Sequence, residues 1–452
     1  MSDLWSRAAV ALEHANPVTA RGEVTDVIGL IVEGNGPAVG VGTTCRILQG
    51  RKEIPAQVVG FRKERILLMP FGELHGIAPG ATIVTDGSGE MVKVGASLLG
   101  RSIDPMGDPI DGLGSIHFDA EVPLFRSPPP ALTRQRIHET CDVGIKCVNT
   151  MLTIGKGQRV AVMAGSGVGK STFLGMIAKH ARTSVNVIAL VGERGREVRE
   201  FIERDLGPEG MARSVVVVAT SDTSALMRLR AAFMATAIAE YFRDQGEDVT
   251  LLLDSITRFC MAQREVGLAV GEPPSSSGYT PSVFAILPKL LERAGTSEGS
   301  GAITGFYTVL VEGDDMNEPI ADAVRGILDG HIVLSRALAS RGHFPAIDVL
   351  QSISRVMPDI ADSSMIQRAQ LARRVLADYH EVEDLITIGA YQPGQNEKVD
   401  FAVQKIDALR RFLVQSPQEK FGLEDCNQQL TQLLAAAAAA QRPGAARAQP
   451  RR

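Results

Sequence analysis

The feature that most constrains this 452-residue chain is a glycine-rich loop between a strand and a helix. The loop reads Ala164-Gly165-Ser166-Gly167-Val168-Gly169-Lys170-Ser171, with the apolar run Arg159–Met163 before it and the helical stretch Thr172–Ala181 after it. In this order the segments form a P-loop, whose backbone N–H groups and helix N-terminus converge on phosphates. We expect Lys170 to bind the β- and γ-phosphates and Ser171 to bind Mg²⁺. The predicted nucleotide-binding residues are Gly165, Ser166, Gly167, Val168, Gly169, Lys170, Ser171 and Thr172.

Two acidic residues follow other buried strands of the same region. The run Val249–Leu253 leads into Asp254, and Val185–Val191 leads into Gly192 and Glu193. Because ligands bind at the carboxyl ends of parallel strands, both carboxylates should lie on the phosphate-binding edge. We interpret Asp254 as the Walker B acid that holds Mg²⁺ with Ser171, the alternative being a helix N-cap. We interpret Glu193 as the group that orients and polarises water for hydrolysis, the alternative being an ordinary loop carboxylate.

Hydrophobic patterning divides the chain into three parts. Short β-rich runs separated by glycines, from Arg21 to about Asp86, predict a small β-barrel. Apolar strands alternate with amphipathic helices from Val92 to about Arg374, which predicts a parallel sheet covered on both faces. Beyond Ala377 the pattern is helical. The runs predicted as barrel strands are Val24–Val32, Thr44–Ile47, Ala56–Phe61, Arg65–Met69 and Thr82–Thr85, and the C-terminal helices are predicted at Gln404–Gln415 and Glu424–Ala440.

Charge and cysteine content restrict the partners and the compartment. The formal charge is 47 − 52 = −5, which argues against sequence-independent nucleic-acid binding. The five scattered cysteines, an odd number, predict free thiols in a reducing compartment. We find no secretory signal and no membrane-spanning apolar run, so a cytoplasmic location is expected.

The two termini differ from the rest of the chain. In Met1–Ala15, the residues Leu4, Trp5, Ala8 and Leu12 recur at helical spacing and predict a short amphipathic helix. This helix docks either on its own domain or on a partner. Gln441–Arg452 carries four Arg, two Pro and no acidic residue, which predicts a disordered tail.

Beyond the P-loop, a set of longer motifs resembles the type III protein-export ATPases, which are relatives of the catalytic subunits of rotary ATP synthases. The resemblance covers residues 20–420 or so and is greatest to the flagellum-specific members. It rests on GSGVGKS (Gly165–Ser171), VGERGREVREF (Val191–Phe201), LLLDSITRF (Leu251–Phe259), GEPPSSSGYTPSVFA (Gly271–Ala285), the segment Tyr307–Arg336 and ISRVM (Ile353–Met357).

The resemblance implies an α/β fold with a RecA-like central domain, a β-barrel N-terminal domain and a helical C-terminal domain. The implied limits are a partner-binding helix at 1–20, the barrel at 21–92, the ATPase domain at 93–375, the helical domain at 376–440 and the tail at 441–452. It also implies Mg²⁺-dependent ATP hydrolysis by a homohexameric ring with nucleotide sites between subunits.

The resemblance adds four site residues. Arg194 and Arg258 match arginines of the phosphate pocket, and Arg355 matches an arginine finger that acts on the neighbouring subunit's nucleotide. Phe344 matches an aromatic residue, usually Tyr, that stacks on adenine. The ring of Phe344 keeps this stacking, whereas the contact made by the Tyr hydroxyl is lost. Judged by spacing alone, Arg194 and Arg258 could instead form surface salt bridges, and Arg355 could cap a helix.

Several partners follow from the resemblance. They are a regulatory dimer at the N-terminal helix, a central stalk-like protein, export-gate membrane proteins, and export substrates with their chaperones. The chain would then lie peripherally at the cytoplasmic face of the inner membrane. At one point the sequence departs from the family, because Ser275-Ser276-Ser277 occupies a loop where a basic residue is expected. Contact between this loop and a stalk protein therefore stays open.

Four other functions compete with flagellar export. An injectisome ATPase has the same chemistry, although Tyr279-Thr280-Pro281 and Gly305 favour the flagellar system. A rotary synthase subunit is disfavoured by the segment Gly195–Arg199. An RNA translocase needs an aromatic, basic barrel, whereas residues 21–90 contain only Phe61 and Phe71 as aromatics. A non-catalytic subunit would lack the two carboxylates described above.

Overall fold

A computed structural model describes residues 20–85, 89–311, 313 and 315–435 of the chain. The helix predicted at the N-terminus lies outside these residues, except that Ala20 begins the first strand. The tail predicted at 441–452 also lies outside them. All five cysteines fall within the described residues, where they are buried and form no disulfide.

The first strands close into a β-barrel, as the sequence predicts. They are β1 (Ala20–Ile28), β2 (Ile31–Asn35), β3 (Thr44–Gln49), β4 (Lys52–Arg62), β5 (Arg65–Pro70) and β6 (Thr82–Thr85), in the order β1-β2-β5-β4-β3-β6 with antiparallel neighbours. Val24, Val32 and Ile83 belong to the apolar cluster that fills this region. The single strand predicted over Val24–Val32 was wrong. Gly29, at φ +59°, makes a turn that splits this run into the hairpin β1–β2.

A connecting region joins the barrel to the central domain. It contains β7 (Met91–Val94), β8 (Arg101–Ile103), β9 (Ala120–Pro123), β10 (Thr140–Cys141) and β11 (Ile154–Gly155). The pairs β7–β9 and β10–β11 are antiparallel, whereas β8 joins the edge of the central sheet as a parallel neighbour of a later strand.

The central sheet is the predicted parallel sheet. Its other strands are β12 (Arg159–Ala164), β13 (Val185–Glu193), β14 (Ser214–Thr220), β15 (Asp248–Asp254), β16 (Gly295–Thr296), β17 (Ala302–Leu310), β18 (Gly330–Leu334) and β19 (Ile347–Ser354). The order is β19-β18-β12-β17-β15-β13-β14-β8, with β16 paired to β17. Within this sheet, among the described residues, only the pairs β18–β19 and β16–β17 are antiparallel.

Helices cover both faces of this sheet. They are α1 (Lys146–Met151), α2 (Lys170–His180), α3 (Gly195–Glu200), α4 (Gly207–Ala212), α5 (Ala225–Asp244), α6 (Ile256–Val270), α7 (Pro281–Leu291), α8 (Pro319–Ile327), α9 (Arg336–Ser340) and α10 (Met357–Ile360), with a π-helical segment at Phe201–Leu206 and 3₁₀ turns at Ala96–Leu98 and Ser276–Gly278. Alternate residues of β12 belong to different cores: Met163 clusters with Ile238 of α5, and Val162 with Phe173 of α2. This alternation is the burial expected of a parallel sheet covered on both faces.

Three helices follow the sheet: α11 (Ser363–Thr387), α12 (Glu397–Leu413) and α13 (Leu423–Ala435). Ala372, Ala402 and Leu430, one from each helix, join the same apolar cluster as α2. The predicted helical C-terminal region is therefore present, and residues 436–440 of its last predicted helix lie outside the described chain. The boundary predicted between the ATPase domain and the helical domain, at 375 and 376, falls inside helix α11. The domain limits stay a prediction. Among the described residues, no helix combines the length and the apolar character needed to cross a membrane.

Candidate active site

The P-loop connects β12 to α2 at the carboxyl edge of the sheet. Gly167 and Gly169 have φ values of +79° and +92°, a left-handed conformation that residues other than glycine disfavour. Val168 is buried in the core and anchors the loop there, while Ser166 and Gly167 are exposed. The loop therefore has the positive-φ glycines and the exposed backbone that a phosphate cradle needs.

A cleft of about 660 Å³ opens over this loop, a size typical of small-ligand pockets. The sheet register explains its position, because Ala164 pairs with Leu310 on one side and with Leu334 on the other. The predicted residues that line the cleft are Gly165, Ser166, Gly167, Gly169, Lys170, Ser171, Thr172, Glu193, Arg194 and Arg258. Residues from three separate strands therefore meet at one edge, as the strand-end rule predicts.

Lys170 lies between the two predicted carboxylates. Its Nζ is 2.5 Å from Asp254 Oδ1 and 3.2 Å from Glu193 Oε1. Burial acts to lower the pKa of Lys170, but the two carboxylates outweigh burial and leave that pKa raised. The lysine is therefore a charged group, and phosphate oxygens would compete with the carboxylates for it.

Glu193 is the carboxyl group of this site with a strongly shifted pKa. Desolvation raises its pKa to about 7; Asp254 and Glu197 add to the rise, while Lys170 opposes it. A carboxyl group with a pKa near neutrality is suited to act as a general base at physiological pH. This property agrees with the role predicted for Glu193 and is unusual for an ordinary loop carboxylate.

Asp254 is 3% exposed and accepts hydrogen bonds on Oδ1 from Lys170 and from the hydroxyl of Thr308. The cap of α6 is Ser255, whose hydroxyl accepts the N–H of Arg258, so Asp254 is not needed as an N-cap. A carboxylate and the hydroxyl of Ser171 are hard oxygen donors of the kind that Mg²⁺ prefers. The residues at this edge thus fit a Mg²⁺-nucleotide, with Ser171 and Asp254 as the predicted ligands.

The two predicted pocket arginines both line the cleft. The aliphatic stem of Arg258 packs over Gly192, where an added Cβ would lie 2.9 Å from Arg258 Cβ. Its buried Nε has no hydrogen-bond partner among the described residues. Arg194 is 81% exposed and lies 3.5 Å from Glu197, so the salt bridge considered for it exists at the cleft wall. Both arginines line the cleft, and their contact with a phosphate stays a prediction.

Phe344 approaches the P-loop from outside the cleft wall. An added Cβ on Gly169 would lie 3.6 Å from its ring carbons Cδ1 and Cε1, and 44% of Phe344 is exposed. A flat ring beside the loop, with one side open, can accept a stacked base.

Four predicted site residues do not line the cleft: Val168, Asp254, Phe344 and Arg355. Of these, Arg355 lies toward the opposite edge of the sheet. β19 is antiparallel to β18, and Ser354 pairs with Gly330, four residues before Leu334 at the P-loop edge. Arg355 is thus separated from its own P-loop by at least ~13 Å of strand. Its guanidinium donates to the carbonyl oxygens of Arg325, at 3.2 Å, and Leu328, at 3.5 Å. The helix-capping contact considered for this residue therefore exists, at the end of α8.

Sequence reasoning missed three residues that belong to this site. Arg336 follows the carboxyl end of β18 and lines the cleft, so the rule that found Asp254 could have found it. Glu197 lies in the first turn of α3, four residues after Glu193, and also lines the cleft. Thr308 lies inside a buried strand, where no pattern distinguishes a hydroxyl that supports a carboxylate from one that fills space.

Comparison with known proteins decides the family. Residues 144–354 match the nucleotide-binding domain of the ATP synthase alpha/beta family, and residues 361–432 match the T3SS EscN ATPase C-terminal domain. The chain is 56% identical over 425 residues to the flagellum-specific ATP synthase of Bacillus subtilis, covering 93% of this chain and 97% of the relative. It belongs to the type III export ATPases of the ATP synthase alpha/beta family.

Two further similarities place this export ATPase among its relatives. It is 49% identical over 412 residues to the type 3 secretion system ATPase of Xanthomonas euvesicatoria, covering 91% of this chain and 93% of that one. The assembled EscN ATPase of enteropathogenic E. coli, solved in complex with its central stalk EscO, superposes with a TM-score of 0.85 at 41% identity, covering 91% of this chain and all of that one. The predicted resemblance, the fold class and the ATPase activity are confirmed, and the roles of single residues stay predictions.

Lys170→Ala should weaken nucleotide binding by roughly 10- to 100-fold, because it removes a hydrogen bond to a charged partner worth about 1.5–3 kcal/mol. Titration of a fluorescent ATP analogue measures the Kd. Lys398→Ala removes an exposed lysine from α12 and is the control. An unchanged Kd in Lys170→Ala, with the protein folded, would contradict the phosphate contact.

Proposed function

We propose that this chain hydrolyses ATP, with Mg²⁺, as the subunit of a homohexameric ring that energises flagellar type III protein export. In this function the ring delivers and unfolds export substrates and releases their chaperones. The observation that carries the proposal is the meeting of Lys170, Asp254 and Glu193 at the P-loop edge, with Arg355 at the opposite edge. A complete hydrolytic site then needs two copies of the chain.

The residues of one chain divide the chemistry among themselves. Backbone N–H groups of the P-loop and the ammonium of Lys170 bind the phosphates, and the stacked ring of Phe344 holds adenine. Glu193 orients a water molecule against the terminal phosphate and takes its proton. Arg194 and Arg258 face the phosphates from the cleft wall. Ser171 and Asp254 would hold Mg²⁺, which would supply positive charge that offsets the charge of the phosphates.

The ring is supported by the position of Arg355. A head-to-tail contact would bring the sheet edge of one copy against the cleft of the next. Such a contact closes into a ring when the rotation that relates neighbouring copies is cyclic. Arg355 would then leave the carbonyl oxygens at the end of α8 and act on the neighbour's nucleotide. The stalk complex of the EscN relative supports a central stalk-like partner for this chain as well. The exposed Ser275–Ser277 loop is available for such a contact, without the basic residue expected there.

The remaining partners belong to the same proposal. The regulatory dimer binds the N-terminal helix, and the export gate receives the ring at the membrane. The chain is then cytoplasmic and peripheral at the inner membrane. We expect no nucleic acid among the partners, because the net charge is −5 and the barrel has few aromatic residues.

Complementation tests the export system. Expressed in Bacillus subtilis that lacks the 56% identical relative, the chain should restore flagellin export to the medium. Lys170→Ala, expressed at the same level, should not. An injectisome role is the second candidate, favoured by the 49% identity to the Xanthomonas ATPase. Rescue of injectisome secretion in Xanthomonas without rescue of flagellin export would overturn the flagellar assignment.

A further inference from the structure

Thr308 supports the carboxylate of Asp254 from the neighbouring strand. β15 and β17 are parallel neighbours, and Leu253 pairs with Tyr307, which brings Asp254 and Thr308 side by side. The Thr308 hydroxyl lies 2.7 Å from Asp254 Oδ1 and 3.3 Å from the Leu253 carbonyl oxygen. A hydroxyl has one proton to donate, and the shorter, charge-assisted contact is the stronger one.

The same carboxylate oxygen has a second donor, which nucleotide binding should remove. Lys170 Nζ lies 2.5 Å from Asp254 Oδ1, and phosphates would draw this ammonium away. Thr308 is fully buried on β17, an interior strand of the sheet, and is not among the residues that line the cleft. Its hydrogen bond can therefore persist when that of Lys170 does not. Without it, a carboxylate that is 3% exposed would be free to turn.

We propose that Thr308 is a positioning residue that fixes the orientation of Asp254 and thereby sets how much Mg²⁺ strengthens nucleotide binding. The inference rests on the proposed function, since it takes Asp254 as a ligand of the metal. Partners that orient a metal ligand typically change metal affinity by about 10- to 100-fold when they are removed. Thr308 itself touches neither the metal nor the nucleotide.

The test compares two substitutions at this position. Thr308→Val keeps the shape and removes the hydroxyl, whereas Thr308→Ser keeps the hydroxyl. For each, the Kd of a fluorescent ATP analogue is measured with Mg²⁺ and with EDTA. The Kd in EDTA divided by the Kd with Mg²⁺ is the ratio that measures how much the metal strengthens binding. Thr308→Val should lower this ratio by about tenfold or more and leave the Kd in EDTA unchanged. Thr308→Ser should keep the ratio of the wild type.

Thr304→Val is the matched control. Thr304 lies four residues earlier on β17, is equally buried, and accepts the N–H of Gly157 at 2.9 Å, far from the cleft. It should lower thermal stability without changing the Mg²⁺ ratio. If Thr304→Val lowers the ratio as much as Thr308→Val, or if Thr308→Ser fails to restore it, the proposal is wrong and Thr308 serves packing alone.

The wild type separates this inference from the function on which it rests. If Mg²⁺ does not strengthen nucleotide binding by the wild-type chain, the proposed Mg²⁺-nucleotide site fails, and the inference fails with it. If the wild type shows the Mg²⁺ effect and Thr308→Val shows the same ratio, only the inference is overturned.

Discussion

Glu193→Gln should lower the steady-state ATPase rate by roughly 10²- to 10⁴-fold, the usual contribution of a general base. Glutamine has the same shape but cannot accept the proton of the attacking water. The phosphate contacts predicted for Lys170 and the P-loop backbone do not involve Glu193, so nucleotide binding should stay close to that of the wild type. Turnover and the Kd of a fluorescent analogue are the two measurements.

The pH profile gives the same prediction a second readout. Since Glu193 must be ionised to act, kcat/KM should rise with pH through the pKa of about 7 that desolvation gives it in the free enzyme. At its ordinary pKa of 4.5 this carboxyl would be ionised throughout the neutral range, and the profile would be flat there. The residual activity of Glu193→Gln should lack the inflection.

Glu203→Gln removes an exposed carboxylate that pairs with Arg199, and it serves as the control with unchanged rate and profile. Near-normal turnover in Glu193→Gln would mean that another carboxylate takes the proton. Glu197, on the same cleft wall, would then be the next residue to substitute.

The parts of the fold that follow from local spacing could be predicted from the sequence. Continuous apolar runs such as Val185–Val191 and Val249–Leu253 predicted β13 and β15 to within two residues, because a strand buried on both faces is apolar at most of its positions. The hairpin β1–β2 could not be found in this way. Gly29 turns the chain inside an apolar run, and periodicity does not distinguish a turn from a continued strand.

The site divides in the same way. Asp254 and Glu193 could be placed on the P-loop edge because strand ends in a parallel sheet share a side. The contacts of Thr308 and Arg355 depend on strand order and register, which local sequence patterns do not indicate. The position of Arg355 on the far edge is therefore something that only the three-dimensional structure provides.

That position leads to the prediction with the largest expected effect. Arg355→Ala should lower ATP turnover by about 10³-fold or more, the usual contribution of an arginine finger, while nucleotide binding by the single chain remains. Arg355→Lys should restore little, because a point charge cannot replace a forked guanidinium. Arg411→Ala, which removes an exposed arginine of α12, is the control. In the wild type, activity per chain should rise with protein concentration as rings form.

Mixing two inactive variants tests whether the arginine acts between subunits. Glu193→Gln keeps Arg355, and Arg355→Ala keeps Glu193, so in a mixed ring some interfaces contain both intact residues. In an equal, random mixture this holds for about a quarter of the interfaces, and the rate should recover to about that fraction of the wild-type rate. Each variant alone stays inactive, which makes the recovery specific to contact between copies. A mixture no more active than its components, at a concentration where rings are present, would show that Arg355 does not serve the neighbouring site. Arg355 cannot serve the site of its own chain instead, because its own P-loop is out of reach across the sheet.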